Sequence, residues 1–159
     1  MAKNTFSVLF VCLGNICRSP AADGVMRTLV AEAGWSKRIE IDSAGTAGWH
    51  SGKLPDPRMR AAGKQRGHTL DHCARQICAD DLERFDLILA MDRENLRDIE
   101  ALDRQRQHRS KIRLFCDFCT EHAMYEVPDP YYGGPEDFEK VLDLMEDGCA
   151  GILRHAQSL

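Results

Sequence analysis

Short apolar blocks alternate along the chain with longer blocks in which apolar residues recur at helical spacing. Four short blocks predict buried strands, at residues 6–11, 39–43, 85–91 and 112–115. Four longer blocks predict amphipathic helices, at residues 21–33, 58–66, 93–102 and 135–153. Strands that alternate with helices are typical of a parallel sheet covered on both faces. The sequence therefore predicts an α/β fold, a three-layer sandwich whose central sheet has four parallel strands.

Glycines, prolines and a capping serine mark the connections. Ser19 and Pro20 predict the N-cap and first turn of the first helix. Residues 44–57 are rich in glycine and proline, and a loop of this length in a compact fold is usually functional. Residues 127–134 contain two prolines and two glycines, which exclude regular structure there. Both segments are therefore predicted to be loops.

The first predicted strand ends on Cys12, at the edge where parallel α/β sheets bind their ligands. The phosphate-binding loop predicted to follow it consists of Leu13, Gly14, Asn15, Ile16, Cys17, Arg18 and Ser19. Backbone N–H groups and the Arg18 guanidinium would surround a small concavity that suits a phosphate-like dianion. The helix N-terminus and the Arg18 charge both favour a thiolate at Cys12, where a nucleophile is needed. The alternative is an inert core cysteine with an arginine at this spacing by chance.

Composition limits the class of protein. The 159 residues carry a formal net charge of −4, which argues against a general nucleic-acid binder. We expect one domain over residues 1–159, acting as a monomer. No apolar run approaches the roughly 18 residues needed to cross a membrane, and the N-terminus lacks a signal-peptide core. The seven cysteines, an odd number, favour a cytoplasmic protein with reduced thiols.

A thiolate nucleophile needs an acid to protonate the departing alkoxide or phenoxide. The candidate is Asp129, held between two prolines in the second loop, where Tyr131 and Tyr132 would wall a slot for an aromatic ring. The alternative is that Asp-Pro is ordinary turn chemistry and that the tyrosines face the core. The residues alone leave both possibilities open.

Together, these segments resemble the low-molecular-weight protein tyrosine phosphatase family over essentially the whole chain. The matching motifs are residues 8–20, 42–46, 56–58, 74–76, 91–92, 95–96 and 129–133. The resemblance implies a four-stranded parallel sheet flanked by helices. It also implies hydrolysis of a phosphotyrosine-bearing protein or a small aryl phosphate through a phosphocysteine intermediate. No metal or other cofactor would be needed, and phosphate-like oxyanions would inhibit.

The resemblance also implies a role for each matching residue. It makes Cys12 the nucleophile, Arg18 the ligand of the phosphoryl oxygens and Asp129 the general acid and base. It places a supporting hydrogen-bond network on Asn15, Ser19, Ser43 and His72, and the cleft walls on Trp49, Tyr131 and Tyr132. Cys17 matches a loop cysteine that can form a reversible disulfide with Cys12. Asp23 stands where the family often has glutamate, and we expect it to support the helix or the loop.

Three alternatives have different functions. An arsenate reductase shares this fold and loop but needs a resolving cysteine after the third strand, where this chain has Met91 and Asp92. An inactive phosphotyrosine binder is disfavoured because all three catalytic candidates are present. A zinc protein would use Cys-x-x-Cys spacing with nearby thiols and histidines, namely Cys73, Cys78, Cys116, Cys119, His68, His72 and His122. Scattered reduced thiols are the simpler interpretation.

Overall fold

The computed structural model describes residues 4–159 and contains one parallel sheet of four strands. The strands are β1 (Phe6–Cys12), β2 (Ile39–Gly45), β3 (Leu87–Ala90) and β4 (Ile112–Leu114). Their order across the sheet is β2-β1-β3-β4, and all three pairings are parallel. The predicted α/β fold with a four-stranded parallel sheet is confirmed.

In the described residues, five helices surround the sheet. They are α1 (Arg18–Glu32), α2 (Pro57–Gln65), α3 (Ala79–Arg84), α4 (Arg93–Leu102) and α5 (Pro135–Gln157). Short 3-10 turns occupy Arg109–Lys111 and Phe115–Phe118. Helix α3 and both turns were not predicted, because segments this short show no helical period. Within the part of the chain described, no helix has the length and apolar character to cross a membrane.

Side chains of β1 explain the three layers. Val8 and Phe10 are fully buried in one cluster with apolar residues of α1 and α5. Leu9 and Val11 point to the opposite face, where they share a second cluster with residues of α3 and α4. Because successive side chains of a strand face opposite sides, a continuous apolar run such as β1 needs cover on both faces.

The register brings the carboxyl ends of three strands together. Cys12 is paired with Gly45 of β2, and Val11 is paired with Ala90 of β3. The Cys12 carbonyl then accepts the Thr46 backbone N–H at 2.9 Å. Residues that follow β1, β2 and β3 therefore meet at one edge of the sheet.

Several predicted boundaries are wrong by a few residues. Helix α1 begins at Arg18, and its N-cap residue is Cys17, not Ser19. The Ser19 hydroxyl is engaged inside the loop instead, as described below. Strand β2 continues beyond residue 43 into the expected loop, because it pairs with β1 along its whole length. Helix α5 continues to Gln157, four residues beyond the predicted end.

Candidate active site

A cavity of about 210 Å³ opens at the carboxyl end of β1. Its walls come from the loop after β1, from the long connection after β2 and from the segment before α5. The lining residues are Cys12, Leu13, Gly14, Ile16, Cys17, Arg18, Trp49, His50, Asp129, Tyr131 and Tyr132. The structure thus brings the expected nucleophile, arginine, acid and aromatic residues around one space. The other expected loop residues, Asn15 and Ser19, lie buried behind the lining.

The Cys12 sulfur lies at the floor of this cavity with one close hydroxyl partner. Its Sγ is 3.0 Å from Ser19 Oγ. The Asn15 side-chain amide donates to the same Ser19 oxygen at 2.7 Å. Because that oxygen accepts from Asn15, its own proton can point either to the sulfur or to the more distant Ala44 carbonyl at 3.4 Å. Ser19 is therefore positioned to donate to a thiolate at Cys12.

Asn15 holds the loop in its curved shape. Its φ of 58° is in the left-handed region, which asparagine tolerates better than most residues. Its side chain is fully buried and also donates to Ser43 Oγ at 3.0 Å, while its Oδ1 accepts the Arg75 backbone N–H at 3.0 Å. These bonds tie the loop to β2 and to the chain around residue 75. The backbone N–H groups are thereby held around the cavity.

Arg18 is held from behind by Asp92, which follows β3, and by the Val127 carbonyl. Its buried guanidinium donates through Nη1 to Asp92 Oδ2 at 2.6 Å and to the Val127 carbonyl at 3.1 Å. Burial opposes the Arg18 charge, but the negative charges of Cys12 and Asp92 outweigh it, and the pKa of Arg18 is raised. Arg18 is thus a fixed cation, and its Nη2 faces the cavity opposite Asp129.

Asp129 has one oxygen anchored and one facing Arg18. Oδ1 accepts the Tyr131 backbone N–H at 3.1 Å, and Oδ2 is 3.8 Å from Arg18 Nη2. The side chain is 47% exposed, so a carboxyl group here can exchange protons with water. Geometry of this kind is suited to a general acid that acts on a group leaving from the cavity.

The aromatic residues form an exposed rim. Tyr131 and Tyr132 meet edge to face with ring centroids 4.9 Å apart, and Trp49 is 72% exposed. Tyr132 is 96% exposed, so the alternative that the tyrosine pair faces the core is wrong. Exposed aromatic rings beside a polar floor suit a ligand with an aromatic body and an anionic end.

Cys17 shares the cavity with Cys12 but has a different environment. Burial, together with the negative charge of Asp56, raises the pKa of the Cys17 thiol well above its usual range. Cys17 therefore remains a protonated thiol, whereas Cys12 has the donors that a thiolate needs.

Ser43 and His72 lie behind the cavity. Ser43 Oγ accepts from Asn15, as described above. His72 Nε2 lies 3.1 Å from Asp42 Oδ1 and 3.2 Å from the Ser43 carbonyl. The hydrogen bond with Asp42 raises the pKa of His72, although partial burial opposes the rise. His72 thus contacts the backbone that carries Ser43.

Asp23 is buried beside His72 and Asp42. It pairs with Arg27, which also donates to the Ile41 carbonyl, so the pair joins α1 to β2. Asp23, Asp42 and His72 have ligand atoms within 4.8 Å of one another, the spacing of a metal site. Arginines already bind both carboxylates of this group. In residues 4–159 no cysteine belongs to a group of three or more His, Cys, Asp or Glu side chains spaced this closely.

Two residues at the site were missed from the sequence. Asp92 holds Arg18 and also caps α4, because its Oδ1 accepts the Asn95 N–H at 2.8 Å. The sequence signal for Asp92 is its place directly between a predicted strand and a predicted helix. His50 lines the cavity, and its Cδ2 would lie 3.0 Å from a Cβ atom at Gly14. Nothing in the sequence predicts the path of the long loop that carries His50.

Comparisons with known proteins agree with this geometry. A sequence model described as low molecular weight phosphotyrosine protein phosphatase matches residues 7–159. A putative low-molecular-weight protein-tyrosine-phosphatase of Synechocystis is 49% identical over 92% of this chain and 93% of its own. The human low molecular weight phosphotyrosine protein phosphatase is 42% identical over 96% of each chain.

Solved structures extend the similarity to three dimensions. The crystal structure of a protein tyrosine phosphatase from Entamoeba histolytica, with Hepes in its active site, superposes with a TM-score of 0.92. It is 42% identical and covers 97% of this chain and 98% of that chain. The crystal structure of YfkJ from Bacillus subtilis gives a TM-score of 0.91 at 38% identity, over 99% and 98% of the two chains. The chain therefore belongs to the low molecular weight phosphotyrosine protein phosphatase family.

Proposed function

We propose that this protein hydrolyses phosphotyrosine and other aryl phosphate monoesters by covalent catalysis at Cys12. One observation carries the proposal: a thiol with a hydroxyl donor, a fixed guanidinium and a carboxyl group share a single cavity with an aromatic rim. Relatives named as tyrosine phosphatases match the chain over nearly its full length.

In the first step the phosphoryl group occupies the loop, where backbone N–H groups and Arg18 bind its oxygens. The Cys12 thiolate attacks phosphorus, so that an S–P bond forms and the bond to the phenolic oxygen breaks. The Asp129 carboxyl group donates its proton to that oxygen, and a neutral phenol leaves. Arg18 stabilises the negative charge on the equatorial oxygens during the transfer.

In the second step water hydrolyses the phosphocysteine. Asp129, now a carboxylate, accepts a proton from the attacking water. The P–O bond forms as the S–P bond breaks, and Cys12 leaves as a thiolate. The Ser19 hydroxyl, 3.0 Å from the sulfur, donates to this leaving group. Inorganic phosphate then departs, and Asp129 is again protonated.

A paired assay tests the proposed function. Purified protein should release phosphate from phosphotyrosine and should show no arsenate-dependent oxidation of a thiol donor. Met91 stands where an arsenate reductase needs a resolving cysteine, and β3 ends at the residue before it. Arsenate reduction without phosphotyrosine hydrolysis would contradict the proposal.

Replacing Asp129 with asparagine should lower kcat for aryl phosphates by about 10²-fold, because general acid catalysis contributes roughly 10²–10⁴. Asparagine keeps the size of the side chain but has no acidic proton to give to the leaving oxygen. A variant whose kcat stays within threefold of the wild-type value would refute this role for Asp129.

We propose a reversible disulfide between Cys12 and Cys17, which line the same cavity. Peroxide would oxidise the Cys12 thiolate to a sulfenic acid and be reduced to water. The Cys17 sulfur would then attack the sulfenic sulfur: the S–S bond forms, the S–O bond breaks, and hydroxide leaves with the Cys17 proton as a second water. Cys17→Ser should therefore recover less phosphatase activity than wild type when dithiothreitol follows peroxide. Equal recovery in the two proteins would contradict the proposal.

We propose that phosphate-like oxyanions compete with substrate, because a cavity built for a phosphoryl dianion also fits its analogues. Residues 1–159 act as one domain and as a monomer, and the formal net charge of −4 gives no support for a nucleic-acid partner. The cysteine content favours a cytoplasmic location.

The aromatic rim of the cavity selects substrates with an aromatic leaving group. Its residues are Trp49, Tyr131 and Tyr132.

A further inference from the structure

The segment after β4 holds a second pair of cysteines away from the active site. Cys116 lies within the 3-10 turn Phe115–Phe118, and Cys119 follows that turn directly. The Cys119 backbone N–H donates to the Cys116 carbonyl at 3.1 Å, so one turn of chain separates the two residues. Both are free thiols, and neither lines the phosphate cavity.

The two thiols differ in their surroundings. The Cys119 thiol donates to the Leu144 carbonyl, with its sulfur 3.8 Å from that oxygen. The interaction with Cys116, together with burial, raises the pKa of Cys119. The interaction with Cys119 lowers the pKa of Cys116, although burial and nearby carboxylates oppose that shift. Cys119 therefore holds the proton, and Cys116 has the more nucleophilic sulfur.

The backbone geometry permits a disulfide between them. A 3-10 turn rises about 2 Å per residue, which places Cα atoms three residues apart at roughly 6 Å. Disulfides join Cα atoms separated by about 4.4–6.8 Å. Two other thiols are engaged elsewhere: Cys78 donates to Asp81, and the fully buried Cys149 donates to the Ala22 carbonyl.

Helix α5 holds the turn in this shape. A Cβ atom at Gly151 would lie 2.0 Å from the Phe118 carbonyl oxygen, so the turn rests directly on the helix backbone. Beyond Cys119, the buried Asp147 carboxylate accepts the backbone N–H groups of residues 120–122. The backbone is thus fixed on both sides of Cys119, so the turn that carries both cysteines is held in place.

We propose that Cys116 and Cys119 form a redox site that hydrogen peroxide converts to a disulfide, independently of the active site. Cys116 is 5% exposed and Cys119 is half-buried, which admits an oxidant hardly larger than water. Because Asp147 anchors the chain between this pair and Asp129, the disulfide leaves the catalytic carboxyl group in place.

The reaction balances in two steps. The Cys116 thiolate attacks one peroxide oxygen: an S–O bond forms, the O–O bond breaks, and the released hydroxide takes a proton to become water. The Cys119 sulfur then attacks the sulfenic sulfur; the S–S bond forms, the S–O bond breaks, and hydroxide leaves with the Cys119 proton as a second water. Two thiols are oxidised by two electrons, and one peroxide is reduced.

Peptide mapping after peroxide tests the proposal in a Cys12→Ser, Cys17→Ser chain, which cannot form the active-site disulfide. Trypsin releases residues 114–140 as one peptide that holds both cysteines of the pair and no other. We expect most of this peptide to lose the mass of two hydrogens and both alkylation sites, and dithiothreitol to restore them. Cys73 and Cys78 fall on separate tryptic peptides and should stay unlinked.

Single replacements supply the matched controls. Cys119→Ser should abolish the disulfide and leave a sulfenic acid at Cys116 that dimedone traps; Cys116→Ser gives a second comparison if the first variant does not fold. With Cys12 intact, Cys119→Ser should keep phosphatase activity within about twofold of wild type, as expected for a residue outside the site. The proposal is overturned if peptide 114–140 keeps both alkylatable thiols at a peroxide dose that inactivates the wild-type enzyme.

Discussion

Replacing Cys12 with serine should lower kcat for phosphotyrosine by about 10⁴-fold or more, as loss of a covalent nucleophile does in other enzymes. Serine differs by one atom, and its hydroxyl is a much weaker nucleophile than the sulfur of cysteine. Asp129 and Arg18 would remain in place, but no group could form the covalent intermediate. Turnover of p-nitrophenyl phosphate and of a phosphotyrosine peptide measures the loss.

Phosphate binding separates loss of chemistry from loss of structure in this variant. The loop N–H groups and Arg18 do not depend on the sulfur, so calorimetry should give a phosphate Kd within about tenfold of the wild-type value, a difference near 1.4 kcal/mol. Serine also keeps a polar group beside Ser19 at the floor of the cavity. Cys12→Ser enzyme that retains near-wild-type turnover would rule out covalent catalysis at Cys12.

Replacing Arg18 with lysine should lower kcat by about 10³-fold, since an arginine that stabilises a phosphoryl-transfer transition state contributes roughly 10³–10⁵. Lysine keeps the positive charge but lacks the planar fork that binds two oxygens at once. It also cannot reach Asp92, Val127 and the phosphoryl group together from one nitrogen. The effect should fall mainly on kcat, because the fork binds most strongly in the transition state.

The Asp92→Asn variant is the matched control for Arg18. It removes the negative charge 2.6 Å from Arg18 Nη1 but keeps a hydrogen-bond acceptor there. The Arg18 guanidinium should therefore be held less firmly, while its planar fork stays intact. We expect a smaller loss, about 10-fold, as for other groups that position a catalytic side chain. An Arg18→Lys enzyme with kcat within threefold of wild type, measured beside this control, would show that the planar fork is dispensable.

The loop after β1 was predictable because its chemistry is contiguous. A strand, a cysteine, a Gly-Asn pair and an arginine follow one another, so local geometry alone places them around one concavity. Asp129 was placed at the same site only through the family resemblance. Its position depends on the segment from residue 119 to Val127, which is held by Asp147 and by a backbone bond from Val127 to Met91.

The elements that were missed depend on tertiary neighbours. Asp92 reaches Arg18 because β3 lies next to β1 in the sheet, which the order of strands along the chain does not reveal. Ser19 has the residue type of an N-cap, yet its hydroxyl is used by Asn15 and Cys12. Tertiary contact therefore overrides a local capping preference at the functional loop.

Trapping the phosphoenzyme tests the covalent mechanism most directly. Wild-type protein mixed with saturating p-nitrophenyl phosphate would be quenched in acid within milliseconds and digested with trypsin. Residues 4–18 form one tryptic peptide that contains Cys12 and Cys17, and fragmentation distinguishes the two. We predict one phosphoryl group on Cys12, absent from the Cys12→Ser variant. Phosphate release with no phosphoryl group on the protein, or with one on another residue, would contradict the mechanism.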